Sequence, residues 1–225
     1  ELHRRGGDVE VLTALPNYPV GEIFDGWSRR PVHVADEDGV RVVRVWLYAS
    51  MGSGIMRMVN YASFGLMSLL GLARTRPAGW TVVEYPTLFG ALPAATWCRL
   101  RGRKVVINVA DLWVDAIVDL GALSDGFVVR VLRRLERWML THATAVTAVT
   151  EGVRDALIAK GVAPERLCWL PNGADAEMFS PGPVDPEVDA LLGLDPDDHL
   201  FLYAGTQGYV HGLEPFLDAA EALRD

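Results

Sequence analysis

An α/β fold built on a mainly parallel sheet is what this sequence predicts, and two observations predict it. Strand-like runs alternate with helix-like runs along the chain. Several strand-like runs are continuously apolar, "VVINV" at 105–109 being the clearest, as expected of strands buried on both faces. With 225 residues, half of them hydrophobic, there is enough apolar material for a sizeable core.

The elements follow in order. "ELHRRGG" reads as the last turn of a helix (Glu1 to Arg5) and a Gly6-Gly7 stop. Strands are expected at Asp8–Thr13, Val40–Trp46, Thr81–Tyr85, Lys104–Val109, Ala143–Val149, Arg166–Leu170 and Leu200–Ala204. Helices are expected at Ile55–Ala73, Leu88–Leu100, Phe127–Thr141, Glu151–Lys160 and Glu214–Leu223. The helix at 127–141 places Val128, Val131, Leu132, Leu135 and Trp138 on one stripe, taken as its core face, with Arg130, Arg133, Arg134 and Arg137 outside it in solvent. Between Arg57 and Arg74 lie sixteen uncharged residues, too short a run to span a bilayer. Apolar side chains surround that helix, and burial is the expectation; a shallow lipid contact is the alternative. The broken helix at the start and the helix that stops at Asp225 are expected of an internal piece of a longer chain.

Composition narrows the chemistry. A net charge of −8 argues against a nucleic-acid binder, which carries a basic patch or stripe. Two cysteines, Cys98 and Cys168, form no C-x-x-C pair, so neither a disulfide framework nor a zinc site is expected, in keeping with a reducing compartment. The break in composition at Pro171 to Asp198 holds five prolines and three glycines with a surplus of acids, and reads as a domain boundary.

Four segments are candidates for function. "SMGSGIMR" (50–57) follows a strand and opens a helix but fails the dinucleotide fingerprint, since Arg57 occupies the third glycine position. Asp111, just beyond the strand 104–109, sits where parallel sheets bind ligands. Its carboxylate could act as a base or hydrogen-bond acceptor, or merely cap the next helix. In "AVTAVTEGVRDALIAKG" (145–161), Thr150 caps and Gly161 ends a helix, with no function required. In "LYAGTQGYVHGLEP" (202–215), three glycines between strand and helix suit close approach of a phosphate to free N–H groups. A G-x-S-x-G elbow, H-E-x-x-H and a P-loop are absent.

In order, "LTALPNYPVGEIFDGW", "ADLWVDAIVDLGAL", "LPNGADAEMFSPG" and "FLYAGTQGYVHGLEPFLDAAEAL" resemble a family-4 glycosyltransferase of the GT-B type, two Rossmann-like domains facing across a cleft. The first two look most like the branch that builds bacterial surface polysaccharides, including transferases of N-acetylated amino sugars. The resemblance implies an acceptor-side domain at 1–170, a linker at 171–198, and the start of a nucleotide-sugar domain at 199–225. It implies transfer from a nucleotide-diphosphate sugar to a carbohydrate or polyprenyl-linked acceptor with retention, no obligatory metal or cofactor, and a cytoplasmic location with possible contact to the inner face of the membrane. By the same resemblance Asn17, Tyr18 and Pro19 lie on the acceptor side, with Asp111 as the candidate catalyst. Asn172, Gly173 and Asp175 line the hinge, and Gly205, Thr206, Gln207, Gly208 and His211 face the donor.

Three departures stand out. Thr206 and His211 occupy places where many relatives carry Arg and Lys. Val114 and Asp115 replace a Pro-Glu pair after Asp111-Leu112-Trp113. The glutamate pair that grips the donor sugar would fall beyond Asp225, which implies that 1–225 alone is inactive. Two other readings remain open: a nucleotide-sugar 2-epimerase of the same architecture, and a non-catalytic acceptor-binding scaffold.

Overall fold

The structure, a computed structural model, describes residues 2–28, 30–52, 54–121, 124–183, 186–193, 195, 200–205 and 212–223. The chain divides into two compact units, Glu1–Asn172 and Gly173–Asp225.

The first unit opens with the helix stop read from the sequence. Gly7 N–H bonds Leu2 O and Gly6 N–H bonds His3 O, with Gly6 at φ 86°, the paired bonds of a Schellman motif. A three-stranded sheet follows in the order β1 (Glu10–Ala14), β3 (Val40–Val45), β2 (Val32–Glu37). β1 and β3 are parallel, whereas β2 and β3 form an antiparallel hairpin. The sequence reading missed β2. Its turn, Asp38-Gly39, has both residues at positive φ, the two-residue hairpin turn that suits the twist of paired strands. "VHVADE" is a half-polar edge strand, and its apolar pattern alone does not reveal it.

The second sheet is wholly parallel, in the order β4 (Trp80–Glu84), β5 (Lys104–Val109), β6 (Ala145–Ala148), β7 (Leu167–Trp169). The helices are α1 (Ile55–Leu72), α2 (Leu88–Leu100), α3 (Trp113–Asp119), α4 (Phe127–Thr141) and α5 (Glu151–Ala159). Val83, Ile107 and Val146 are register partners on one face, and they share a core cluster with residues of α2, α4 and α5. Fully burying one such side chain is worth about 1.5–3 kcal/mol. Thr150 caps α5 by accepting from Val153 N–H, and Gly161 ends it at φ 94°. Both cysteines are free, Cys98 buried and Cys168 exposed.

Two expectations about burial, those for α1 and α4, fail here, and β4 has an exposed face. β4 is not buried on both faces: Trp80 and Val82, on the face away from the helices, are 57% and 62% exposed. The core cluster joins α2, α4 and α5 to the opposite face, that of Val83, Ile107 and Val146. α1 is not buried either. Its buried residues are Gly65, Ser68, Gly71 and Leu72, the first three small residues that let α2 and β3 approach closely, while Leu66 and Leu70 point outward at 69% and 52% exposed. In α4 the buried residues are Val129, Glu136, Met139 and Leu140, and of the predicted stripe only Leu132 packs, partly buried, against the core. Val128, Val131, Leu135 and Trp138 lie outside. The turn of the helix is set by Glu136, whose carboxylate finds partners inside.

The second unit holds α6 (Pro186–Leu192) and α7 (Glu214–Ala222). α6 lies in the stretch read only as linker; it begins at a proline, whose fixed φ and missing N–H suit the first helical position. The expected strand at Leu200–Ala204 does not form. A strand is held by ladder bonds to a neighbour, and no second strand exists among the described residues of this unit, so Leu200 to Tyr203 stay exposed.

Candidate active site

Because β4 to β7 are parallel, the loops that follow them emerge from one edge of their sheet, the edge where α/β sheets bind ligands. Asp111 stands on the loop after β5. Trp113 fixes that loop, inserting edge-on against Phe89 and Tyr61 with ring centroids 5.7 and 6.3 Å away. The helix behind it, α3, has Leu112 at its N-cap and no side-chain cap. Asp111 is therefore not a capping residue. Its carboxylate is exposed and makes no hydrogen bond or ion pair among the described residues.

One residue inside the same edge, three strands present a polar ladder that the sequence reading missed. Thr147 Oγ1 donates to Asn108 Oδ1 (2.6 Å), and Asn108 Nδ2 donates to Glu84 Oε2 (2.8 Å). Glu84, Asn108 and Thr147 are register partners on one face, with Glu84 open to solvent. The signal in the sequence is a polar residue near the end of each apolar run. It becomes legible only when the register is known.

A second missed group lies behind the loop. Glu136, fully buried on α4, accepts from the Tyr85 hydroxyl and, at 2.7 Å, from Lys160 Nζ. Lys160 also reaches Asp115 at 2.7 Å, and Arg133 lies 3.6 Å from the same carboxylate. Burial alone would lower the Lys160 pKa, but its bonds to Asp115 and Glu136 overcome that and raise it. Burial first, then the Glu136 charge, push the Tyr85 hydroxyl upward and keep it protonated. Asp115 is thus committed to holding α3 against α4 and the end of α5.

The other predicted residues are scattered along the two units. Asn17, Tyr18 and Pro19 follow β1. Asn17 Nδ2 donates to Leu15 O at 2.7 Å, its carbonyl accepts from Gly21 N–H, and Tyr18 is exposed. Asn172 ends the first unit and Gly173 begins the second. Asp175 Oδ1 accepts from Glu177 and Met178 N–H at 2.9 and 3.2 Å, so its carboxylate organises a local turn. Gly205 lies beside the Tyr203 ring. Thr206, Gln207, Gly208 and His211 lie outside the described residues.

A parallel sheet packed by crossover helices, followed by a second unit, makes this an α/β protein, and its likeness to a solved glycosyltransferase-type structure places the fold in the GT-B type. The chain belongs to the glycosyl transferase 4-like family, whose domain matches residues 1–173. A curated relative from Escherichia coli (strain K12), "Putative colanic acid biosynthesis glycosyl transferase WcaI", is 32% identical over 238 residues, covering all of this chain and 57% of the relative. Among solved structures, sucrose-phosphate synthase from Thermosynechococcus elongatus shares the fold with a TM-score of 0.66 at 16% identity, over 99% of this chain and 52% of that one. The chain thus spans little more than half the length of either.

Proposed function

We propose that the protein to which these residues belong transfers a sugar from a nucleotide-diphosphate donor to a carbohydrate or polyprenyl-linked acceptor, with retention, during assembly of a surface polysaccharide. The observation that carries this reading is the carboxylate of Asp111, which caps no helix and has no partner among the described residues, at the ligand-binding edge of a glycosyltransferase-family sheet. The similarity to a relative named for colanic acid biosynthesis supports the polysaccharide part. On this reading Asp111 accepts a hydrogen bond or proton from the acceptor hydroxyl, and the Glu84–Asn108–Thr147 ladder orients other hydroxyls beside it. Donor binding falls to the second unit through Gly205, Thr206, Gln207, Gly208 and His211, whose N–H groups and side chains would stabilise the leaving diphosphate without a metal. The enzyme works in the cytoplasm at the inner face of the membrane.

The test is to incubate the full-length protein with a panel of nucleotide sugars, with and without a polyprenyl-diphosphate saccharide, and to read the products by NMR. Transfer that requires the acceptor and retains the anomeric configuration is expected. A changed donor sugar without acceptor would show an epimerase instead. Glycan binding with no response to any nucleotide would show a scaffold.

A further inference from the structure

Lys160, at the C-cap of α5, is largely buried, and its Nζ lies 2.7 Å from each of two carboxylates that belong to different parts of the first unit. One is Asp115, in the first turn of α3 and four residues after Asp111. The other is Glu136, which in turn accepts from the Tyr85 hydroxyl. Tyr85 directly follows Glu84, and its N–H donates to Asn108 O at 2.9 Å. It is thus tied to two of the residues that form the polar ladder. A single ammonium group connects the segment of Asp111 with the strand end of Glu84.

We infer that Lys160 is a positioning residue for the proposed transfer: through Asp115 it holds the loop of Asp111, and through Glu136 and Tyr85 it holds the strand end of Glu84. The inference rests on the reading of Asp111 and the ladder as the acceptor site. Stability alone is a poor reason for such a group. Taking a lysine and a carboxylate out of water offsets most of their attraction, and apolar residues of similar volume would hold the elements as well. A fully satisfied polar network instead fixes one arrangement, because its hydrogen bonds are directional. α3 has seven residues and no side-chain cap, too few to keep its place by its own helix bonds. Trp113 and Val114 bury its first turn by non-directional contact, and the Lys160–Asp115 bond adds the directional one. Arg133 lies farther from Asp115, at 3.6 Å, and is divided between it and Asp125. Misplacing a reacting group by about 1 Å can cost about a hundredfold in rate, so a bond that fixes the Asp111 segment has a consequence for catalysis.

Steady-state transfer by the full-length protein tests it, with kcat referred to the folded fraction measured by circular dichroism. Tyr85→Phe cuts the ladder arm and leaves Glu136 with Lys160; it should raise the acceptor KM about tenfold with little change in kcat. Asp115→Asn cuts the loop arm and should lower kcat about tenfold with little change in acceptor KM. Lys160→Met cuts both arms and should change both quantities. Adding Asp115→Asn to Lys160→Met should cost nothing more in kcat, since the two act through one bond. The donor KM should keep its wild-type value throughout. A cluster that served the fold alone would lower the folded fraction and leave every KM and the corrected kcat as they were, and that result would overturn the inference. So would effects of Asp115→Asn and Lys160→Met on kcat that multiply. Should Lys160→Met fail to fold, Tyr85→Phe and Asp115→Asn still decide, because each leaves the buried Glu136–Lys160 pair in place. A wild type that transfers no sugar would overturn the proposed reaction and the role of Lys160 in it. A transferring wild type matched by every variant would overturn the inference alone.

Discussion

The two units are built from similar local material and end in different states. In Glu1–Asn172, the strands β4 to β6 and the helices α1 to α5 gather a continuous buried cluster in which Ile107, Val109 and Val146 are fully enclosed. In Gly173–Asp225, α6 and α7 are amphipathic, yet Leu191, Phe216 and Leu217 remain mostly exposed. Helix-forming sequence is present in both, whereas among the described residues strand partners are present only in the first. Local pattern proposes an element; a neighbour that accepts its hydrogen bonds and covers its apolar side keeps it.

The contrast can be tested from the largest expected effect downward. Glu136→Ala would leave Lys160 without its buried partner and Tyr85 without its acceptor, and should destabilise the first unit by about 3–5 kcal/mol in urea unfolding. Gly65→Ala comes next: an added Cβ meets the carbonyl oxygen of Phe89, so α1 and α2 must separate, at about 1–3 kcal/mol. The Lys160 cluster also predicts a pH dependence. The pKa of Lys160 is raised by its carboxylate partners and that of Tyr85 by burial, so the stability each contributes is complete below its unfolded-state value. It is lost as pH rises through the folded-state value, and the unfolding midpoint should fall on the alkaline side above about pH 10. Lys160→Met should make that fall shallower. In the second unit, Phe216→Ala in the 225-residue chain should change stability by no more than about 0.5 kcal/mol. A large loss there would show that α7 is packed more firmly than its exposure indicates.

Much of the first unit was legible because its elements lie between strong punctuation. α2, β5 and α4 occupy the predicted residues, set off by Thr87, Gly102 and Gly126. Which side of a helix faces the core was less legible. In α4 the stripe richest in apolar residues is the exposed one, because the adjoining sector carries a carboxylate that Tyr85 and Lys160 satisfy from other elements. α1 misled for a related reason: its close contacts are made by glycines, which contribute nothing to an apolar pattern. At the candidate site, Asp111 was legible from its place after an apolar strand. The choice between cap and free carboxylate needed the position of Leu112 and the backbone of α3. The Glu84–Asn108–Thr147 ladder depends on register across three strands and cannot be read along one.

The central claim is that Asp111 serves the reaction and not the fold, and Asp111→Asn in the full-length protein tests it most directly. Steady-state transfer should show kcat lowered by about a hundredfold or more, with an unchanged unfolding midpoint, because among the described residues the carboxylate caps no helix and pairs with no cation. Wild-type kcat in that variant, or a loss of stability in place of a loss of rate, would contradict the account.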